Sequence, residues 1–214
     1  MRYLIVSDIH GNWEALQAVL QHARGLYDQI LCGGDLVGYG ADPNAVLDWA
    51  RENVAVVIRG NHDKASAGLD DPEWFNRAAR AAALWTYGEL TEPNRKYLCE
   101  LPKGPVRVAG FQIIHGSPLD EDEYLLSSYE VKQVFEYLEC PLTFFGHTHM
   151  QGGFFLHPNG VRRSGKTPAG CDQHIVDLMD DMYSLANPGS VGQPRDGDPR
   201  AAYVVYDTEE RALF

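Results

Sequence analysis

The sequence predicts an α/β fold built around a parallel sheet, because apolar runs and helical segments alternate along the first part of the chain. Tyr3–Val6, Gln29–Cys32 and Ala55–Ile58 have the length and apolar content of buried strands. Each run ends in a cluster of polar residues, and a helical segment follows that cluster. Strands that alternate with helices are typical of βαβ units, whose strands lie parallel in one sheet.

The first two helices are predicted from their spacing and their end signals. Apolar residues recur at helical spacing from Leu16 to Ala23, after Asn12, which suits an N-cap, and before Gly25, which suits a helix stop. The second helix is predicted over Pro43–Asn53, because proline is favoured in the first helical turn.

The middle of the chain is predicted to be helical and then to form a hairpin. Asp71–Leu101 reads as helix in two parts, Asn76–Tyr87 and Thr91–Leu101, and we expect these helices to cover a sheet face. Val106–Ala109 and Phe111–His115 follow, and they are predicted to pair as antiparallel strands.

The last third of the chain mixes strands with polar segments. The acidic patch Asp120–Glu123 is predicted to cap a helix that runs to about Leu138, and the polar segment Arg162–Gln173 is predicted to be a mobile surface loop. Further strands are expected at Leu142–Phe145, Phe154–His157, Ala201–Tyr206 and Ala212–Phe214. The sequence contains no repeat and no linker that divides it, so residues 1–214 are expected to form one domain.

The charge of the chain limits its expected partners. Eighteen basic and thirty acidic residues give a net charge of −12. Such a surface repels the phosphate backbone of nucleic acids at long range, so nonspecific nucleic-acid binding is not expected and small substrates are favoured. A phosphate group still has access to a locally positive metal site.

Cysteine usage and hydropathy bear on the compartment. The four cysteines form no C-x-x-C pair and are expected to be buried or incidental thiols: Cys32, Cys99, Cys140 and Cys171. The sequence opens directly into an apolar strand without the features of a signal peptide, and no segment approaches the ~20 apolar residues that span a membrane. These features predict a soluble, cytoplasmic protein without a membrane partner.

Five polar clusters, each at the end of an apolar run, carry the chemistry of this sequence. Their functional side chains are Asp8, His10, Asp35, Asn61, His62, Asp63, His115, His147 and His149. Oxygen and imidazole ligands together suit divalent transition metals such as Mn, Fe, Co, Ni or Zn, whereas Mg and Ca prefer oxygen alone. A single such histidine is usually structural, but five clusters at strand ends predict a metal site.

The stretch Leu31–Gly40 supplies the carboxylate around which this site is expected to form. Asp35 directly follows Gly33 and Gly34, which lack a Cβ and let the backbone bend sharply and approach a ligand. We interpret Asp35 as a ligand that bridges two metal ions. An aspartate after a strand is more often a turn or helix-cap residue, so this interpretation depends on the other clusters.

This ordered set resembles the calcineurin-like metallophosphoesterase superfamily, in particular its small bacterial phosphodiesterase-like branch. The motifs D-x-H, G-D, G-N-H-D, H-G and G-H-x-H all occur in order within about residues 1–150. The resemblance implies a four-layer α/β/β/α sandwich with a dinuclear site at the carboxyl ends of its strands. It also implies that the cofactors are two divalent transition-metal ions, Mn, Fe, Ni or Zn.

The resemblance assigns a role to each motif residue. One ion would be held by Asp8, His10, Asp35 and His149, and the other by Asp35, Asn61, His115 and His147. His62 would lie near the substrate phosphate without being a ligand, where it suits a general acid that Asp63 or another carboxylate orients. Two ions that share a hydroxide activate it for in-line attack, so the chain needs no nucleophile of its own.

Arginines near these motifs are possible phosphate contacts. Arg59 suits a phosphate clamp, with Asn61 as a second substrate contact, because a guanidinium binds two phosphate oxygens at once. A surface ion pair is the alternative for Arg59. The turn-rich segment Asn187–Tyr203 is expected to form a rigid turn, and Arg195 and Arg200 within it are further candidates for a substrate contact.

These observations predict a dinuclear metal-dependent phosphoesterase that acts on a phosphodiester or a nucleotide rather than on a phosphomonoester. A Ser/Thr-type protein phosphatase is one alternative, since that class shares R-G-N-H, but it carries a glutamate where this chain has Asp63 and lacks the pair His147 and His149. A protein-binding scaffold of the same fold, as in a retromer subunit with a decayed metal site, is the other. Every ligand position is filled here, which favours the enzyme.

Overall fold

The computed structural model describes residues 1–179 and 182–214, and these residues form two six-stranded sheets with helices on their outer faces. The strands are Arg2–Val6 (β1), Gln29–Cys32 (β2), Val56–Val57 (β3), Val106–Val108 (β4), Phe111–Ile113 (β5), Leu142–Phe144 (β6), Gly152–His157 (β7), Gly160–Ser164 (β8), Val176–Asp177 (β9), Ser184–Asn187 (β10), Val204–Asp207 (β11) and Ala212–Leu213 (β12). The helices are Trp13–His22 (α1), Pro43–Asn53 (α2), Asn61–Ala67 (α3), Arg77–Glu89 (α4), Glu92–Glu100 (α5) and Val131–Val134 (α6).

The strand order of both sheets confirms the predicted α/β class. The first sheet has the order β3-β2-β1-β11-β12-β9, and its strands β1, β2 and β3 are parallel as predicted. The second sheet has the order β4-β5-β6-β10-β7-β8, in which β5, β6 and β10 are parallel and β4 pairs with β5 as the predicted hairpin. Both sheets therefore contain neighbouring parallel strands whose carboxyl ends point the same way.

Alternation along β1 explains the layers. Tyr3 and Ile5 face the core between the two sheets, whereas Leu4 and Val6 face the other side and pack with apolar residues of α1 and α2. A third cluster joins α6 to the outer face of the second sheet through Val131. Successive strand residues point to opposite faces, so a run that is apolar throughout can contact both neighbouring layers. The result is the predicted four-layer α/β/β/α sandwich.

The two predicted helix starts are confirmed. Asn12 caps α1, and its side-chain oxygen accepts a hydrogen bond of 3.1 Å from the amide of Ala15. Pro43 lies in the first turn of α2, where its missing N–H costs nothing. These caps fix where each chain segment leaves its strand-end loop.

The predicted long helix between Asp120 and Leu138 is wrong. Only α6 and a 3-10 turn at Phe135–Tyr137 form there. The acidic patch does not cap α6; in the turn before this helix, the carboxylate of Glu130 accepts hydrogen bonds from the amides of Leu126 and Ser127. The patch instead lies in the loop before it, where Glu121 pairs with basic side chains.

The predicted surface loop Arg162–Gln173 is wrong in its first part. Residues Arg162–Ser164 belong to β8, which pairs with β7 at the end of the second sheet. Charged side chains are tolerated in an edge strand, so the polar composition of these residues is compatible with a strand. The charges also discourage pairing of this edge with other chains.

Replacing Phe111 by alanine is expected to lower the free energy of unfolding by about 3–5 kcal/mol, because the deletion opens a cavity between the sheets. The ring is 1% exposed and lies 5.2 Å, 5.6 Å and 5.3 Å from the rings of Tyr3, Phe144 and Tyr206. Urea unfolding measures the change. Tyr129→Ala is the control, because Tyr129 is 90% exposed and its removal should change stability by less than about 0.5 kcal/mol. Equal effects of the two variants would contradict the inter-sheet core.

Candidate metal centre

The polar clusters meet at one edge of the molecule because they follow strands of both sheets in the same direction. Asp8 and His10 follow β1, Asp35 follows β2, and Asn61 opens α3 after β3. In the second sheet, His115 follows β5, and two further histidines, His147 and His149, follow β6. The carboxyl ends of strands in open α/β sheets are where ligands bind, since the loops there converge.

Several of these residues adopt a left-handed backbone that is uncommon outside glycine. The φ angle is 54° at Asp8, 52° at His10, 55° at Asp35, 64° at His147 and 58° at His149. Such conformations cost energy and persist where surrounding bonds impose them. Here the amide of Asp8 donates to the carbonyl of Gly34, at 3.0 Å, and that of His10 donates to the carbonyl of Asp35, at 2.9 Å. The two strand-end loops therefore hold each other in the conformation that turns their side chains inward.

Close approach of the loops requires glycine at Gly60. A Cβ at this position would lie 2.1 Å from Oδ1 of Asp35, which no side chain permits. The same Oδ1 accepts a hydrogen bond of 2.9 Å from the amide of His62. The backbone that opens α3 thus packs directly on the carboxylate and leaves its other oxygen facing the site.

The side chains form two groups that share Asp35. Within each group the possible ligand atoms lie within 4.8 Å of one another; the groups are Asp8, His10, Asp35 and His149, and Asp35, His115 and His147. The Oδ2 atom of Asp35 lies between them, 3.6 Å from Nε2 of His10 and 3.5 Å from Nε2 of His115. Asn61 joins the second group through Oδ1, which lies 3.3 Å from Nε2 of His115. The structure thus brings together every residue for which the sequence predicted a ligand role.

Backbone carbonyls orient all four imidazoles of these groups. Nδ1 contacts a carbonyl oxygen in three of them: His10 with Val37 at 3.0 Å, His115 with Gly33 at 2.8 Å, and His149 with Gln193 at 2.6 Å. In His147 the contact is made by Nε2, which lies 3.0 Å from the carbonyl of Asp122. A carbonyl only accepts, so each of these nitrogens carries a proton, and the opposite nitrogen of each ring faces the site. Metal-binding histidines characteristically have this second contact.

Two carboxylate oxygens within the ligand groups are buried and lack a hydrogen-bond partner among the described residues. They are Oδ2 of Asp8 and Oδ2 of Asp35, whose residues are 0% and 1% exposed. A buried charge without a partner is costly, whereas a bound cation would offset that cost. Oxygen and imidazole donors around such oxygens fit a divalent transition-metal ion.

The pKa values at the site reflect its buried negative charge. Burial favours neutral His115, but the carboxylates of Asp35 and Asp8 and the carbonyl of Gly33 outweigh burial and raise the pKa of His115 to about 10. Burial alone would raise the pKa of Asp35, but the imidazoles of His115 and His10 hold that pKa well below its usual value. The carboxylates of the site thus favour positive charge in their immediate surroundings.

His62 lies beside the groups without belonging to either of them. Its ring is 4.9 Å from that of His10 and 4.5 Å from that of Tyr39, and the residue is 5% exposed. Burial lowers its pKa to about 4, although Asp35 opposes the shift. Its Nδ1 has no hydrogen-bond partner among the described residues. This position agrees with the predicted placement of His62 near the site.

Asp63 does not orient His62, contrary to one prediction. Its carboxylate accepts hydrogen bonds from the amides of Asp35, at 2.8 Å, Gly60, at 3.0 Å, and Val37, at 3.2 Å. Three amides from two strand-end loops thus donate hydrogen bonds to the two oxygens of the Asp63 carboxylate. Asp63 therefore stabilises the loop that carries Asp35.

The structure places Arg59 in the ion pair that was the alternative to a phosphate clamp. Its Nε and Nη2 donate to the two carboxylate oxygens of Glu121, at 3.1 Å and 2.9 Å. Lys64 joins this cluster at 3.3 Å from Glu121. The side of the guanidinium formed by Nε and Nη2 is thus already occupied by a carboxylate.

Arg195 and Arg200 differ in whether a carboxylate already pairs with the guanidinium. Arg200 contacts the carboxylates of Asp198 and Asp172, at 2.8 Å and 2.9 Å. Arg195 instead donates to the neutral amide oxygen of Gln193, at 2.6 Å, and its guanidinium carbon lies 5.9 Å from the centre of the Tyr39 ring. Since Tyr39 contacts both His10 and His62, Arg195 is the arginine of these two that lies at the site.

Sequence reasoning missed the aromatic residues that surround the groups. Tyr39 packs on His10, Phe75 lies 4.7 Å from His62, and the Tyr124 ring lies 3.9 Å from that of His147. Tyr39 belongs to the glycine-rich stretch Leu31–Gly40. Membership of that stretch is a weak sequence signal that a residue lies at the site. Phe75 and Tyr124 lie in loops far from any motif, and tertiary folding alone brings them to the site.

Within residues 1–179 and 182–214, the helices are all too short or too polar to span a bilayer.

Known proteins resemble this chain in sequence and in structure. The sequence model described as calcineurin-like phosphoesterase matches residues 1–151. An uncharacterized protein of Methanocaldococcus jannaschii is 36% identical over 96% of this chain and 82% of its own length. A crystal structure of a metallophosphoesterase from Sphaerobacter thermophilus superimposes with a TM-score of 0.83 and 33% identity, covering 100% of this chain and 86% of that one. Vps29 of Entamoeba histolytica, complexed with Zn²⁺, has a TM-score of 0.51 and 15% identity over 100% of this chain and 89% of its own, which is a likeness of fold alone.

Divalent metal ions are expected to raise the melting temperature by roughly 5–10 °C at a metal concentration about 100-fold above Kd, because they neutralise the buried carboxylates of the folded state. Asp35→Asn should remove most of this shift, since an amide cannot supply the shared charge. Glu136→Gln, at an exposed position, is the control and should keep the full shift. Calorimetry with added Mn²⁺ and with a chelator measures both. A full metal-induced shift in Asp35→Asn would contradict the assignment of Asp35.

Proposed function

Because this chain belongs to the calcineurin-like phosphoesterase family, whose members are metal-dependent phosphoester hydrolases, we propose that it is a dinuclear phosphoesterase that acts on a phosphodiester or a nucleotide. The observation that carries this proposal is the position of Asp35 Oδ2, 3.6 Å from a nitrogen of one ligand group and 3.5 Å from a nitrogen of the other. A carboxylate shared by two groups of ligands is suited to bridging two cations.

The proposed ligands divide as the two groups do. Asp8, His10 and His149 would hold the first ion with Asp35, and Asn61, His115 and His147 would hold the second. When bound, two such ions would activate a water molecule and stabilise the charges on its phosphate target. Mn, Fe, Ni and Zn all suit this mixture of oxygen and imidazole donors. The residues of the chain would hold these ions among strand-end loops that are hydrogen-bonded to each other.

His62 is the proposed group for the leaving oxygen. In hydrolysis, the oxygen of water bonds to phosphorus while the bond from phosphorus to the leaving oxygen breaks, and that oxygen keeps the electron pair and takes up a proton. The low pKa of His62, about 4, keeps its imidazole neutral before substrate binds. A bound phosphate would raise the pKa, because a nearby negative charge favours the protonated form. His62 would then protonate the leaving oxygen or stabilise its charge.

Arg195 fits a phosphate contact better than Arg59. Using Arg59 would require the bidentate pair with Glu121 to open, whereas Arg195 has only to leave the amide of Gln193. The backbone amide of Arg195 donates to the carbonyl of His149, at 3.1 Å, which anchors this arginine beside the first ligand group. We therefore assign the phosphate contact to Arg195, with Asn61 as the second proposed substrate contact.

Small substrates and a cytoplasmic location remain part of this proposal. The net charge of −12 opposes binding to long nucleic acids, although a single phosphate can still be attracted by the bound metals. The protein-phosphatase alternative draws support from the R-G-N-H motif. Asp63 and the pair His147 and His149 disfavour that alternative, and the complete ligand set disfavours the scaffold alternative.

The first test combines turnover with metal content. The metal-loaded protein should hydrolyse bis(4-nitrophenyl) phosphate or a nucleotide faster than phosphopeptides or long duplex DNA, and it should contain two metal ions per chain. Asp35→Asn should lose both ions and the activity, whereas His149→Ala and His147→Ala should each weaken one site and regain activity in excess metal. Two ions and normal turnover in Asp35→Asn would refute the bridging role. A fully loaded protein without turnover on any ester would support the scaffold instead.

His62→Ala should keep both metals and the fold but reduce kcat by about 10²–10⁴-fold, the usual range for a positioned acid. The loss should be smallest for a 4-nitrophenyl ester, whose leaving group departs without a proton, and largest for a nucleotide diester, whose alkoxide needs one. Metal analysis and kcat on both esters measure this. Loss of a metal ion would make His62 a ligand, and an equal rate loss on both esters would exclude it as general acid.

A further inference from the structure

A row of aromatic side chains leads from His62 to the surface. The ring of Phe75 lies 4.7 Å from that of His62, at an angle of 42°. The ring of Trp74 lies 4.5 Å from that of Phe75 and nearly perpendicular to it, at 88°. Trp74 is 55% exposed. His62, which is proposed to face the leaving oxygen, is thus linked through the ring of Phe75 to the exposed ring of Trp74.

Local hydrogen bonds hold this pair at the rim. Trp74 ends the 3-10 turn Pro72–Trp74, whose start is capped by Asp71, because the carboxylate accepts from the amide of Glu73 at 3.0 Å. The amide of Phe75 donates to the carbonyl of Pro72, at 3.0 Å. Asn76 then caps α4 by accepting from two amides at 3.0 Å. With caps on both sides, the turn presents Trp74 to solvent, where the exposed part of its indole leaves apolar area unburied.

The other ligand group has an aromatic neighbour too. The ring of Tyr124 is tilted by 33° over His147, with the centroids 3.9 Å apart, and Tyr124 is 45% exposed. Tyr39 lies between the two sides, in contact with His10 and His62. The rim of the site is therefore rich in aromatic faces, which suit planar rings more than charged or flexible groups.

From this arrangement we infer that the leaving group is a nucleoside whose base stacks on Trp74. If His62 contacts the leaving oxygen, the group attached to that oxygen extends along Phe75 towards Trp74. The ring of Phe75 lies between those of Trp74 and His62. An aromatic ring bonded directly to the leaving oxygen would therefore contact Phe75 and not Trp74. A base is one sugar further from that oxygen and would reach the indole of Trp74. Hydrolysis then breaks the bond from phosphorus to the sugar oxygen, and the nucleoside leaves with the proton from His62. This inference rests on the proposed phosphoesterase function.

The test compares substrates that differ only in the base. Adenosine 5′-monophosphate is paired with ribose 5-phosphate, and the methyl diesters of both compounds form a second pair, so that the leaving oxygen is the same within each pair. Wild type should prefer the base-bearing member by about 10-fold or more in kcat/KM, the range of one base stacked on an aromatic side chain. Trp74→Ala should lose this preference through a higher KM and leave turnover of the ribose compounds unchanged. Trp74→Phe should retain part of it.

Trp85→Ala is the matched control, because Trp85 is also exposed, at 44%, and lies on the neighbouring helix α4. It should keep the preference of the wild type. Equal kcat/KM for both members of each pair in the wild type would overturn the inference, and so would a loss in Trp74→Ala that is the same for both members. A preference for a phosphotyrosine peptide over the nucleotide would overturn it in favour of an aryl leaving group. Absence of turnover on all esters would instead count against the phosphoesterase proposal itself.

Discussion

Burial of one carboxylate, that of Asp35, is the constraint on which the rest of this structure depends. One of its oxygens accepts a hydrogen bond from the amide of His62, in the first turn of α3. The other oxygen faces imidazoles from both sheets and has no hydrogen-bond partner among the described residues. A charge in that position is unfavourable unless cations share it. The fold therefore retains a local cost that metal binding would remove, and much of the surrounding sequence serves to hold this carboxylate in place.

Neighbouring residues show how that position is enforced. Gly60 is required because any side chain would collide with the carboxylate, and Asp63 uses both of its oxygens on the amides around it. The left-handed backbone at Asp8, His10 and Asp35 turns their side chains inward at a cost of about 1–3 kcal/mol each. Bonds between the loops, rather than any single strong contact, offset this cost. Such preorganisation lets the ligand atoms stand close together before a metal arrives.

The sequence predicted what periodicity and short motifs encode. Strands β1 and β2 and helices α1 and α2 appear as expected, because their apolar spacing and caps are local. The candidate ligand residues could be proposed from sequence because their types carry coordination chemistry. The errors came from features without local signals. The helix expected after Asp120 is short because Glu121 and its neighbours pair with Arg59 and Lys64, a choice made by tertiary contacts. The imidazoles are oriented by backbone carbonyls, which every residue type has, so the sequence does not indicate which residues supply them. These residues are Val37, Gly33, Asp122 and Gln193.

The short segment 190–193 near the end of the chain has a consequence for how the protein is made. Gly192 and Ser190 donate hydrogen bonds to the carbonyl of Asp8, at 3.0 Å and 2.8 Å, and the carbonyl of Gln193 orients His149. A chain emerging from the ribosome therefore presents its first ligand loop long before the residues that brace it have been synthesised. The nascent chain would bind ions loosely at most, and tight capture would have to wait until residues 190–193 have been translated and have packed against the first loop. A chain interrupted before residue 190 would keep every proposed ligand residue but lack the contacts that brace Asp8 and orient His149.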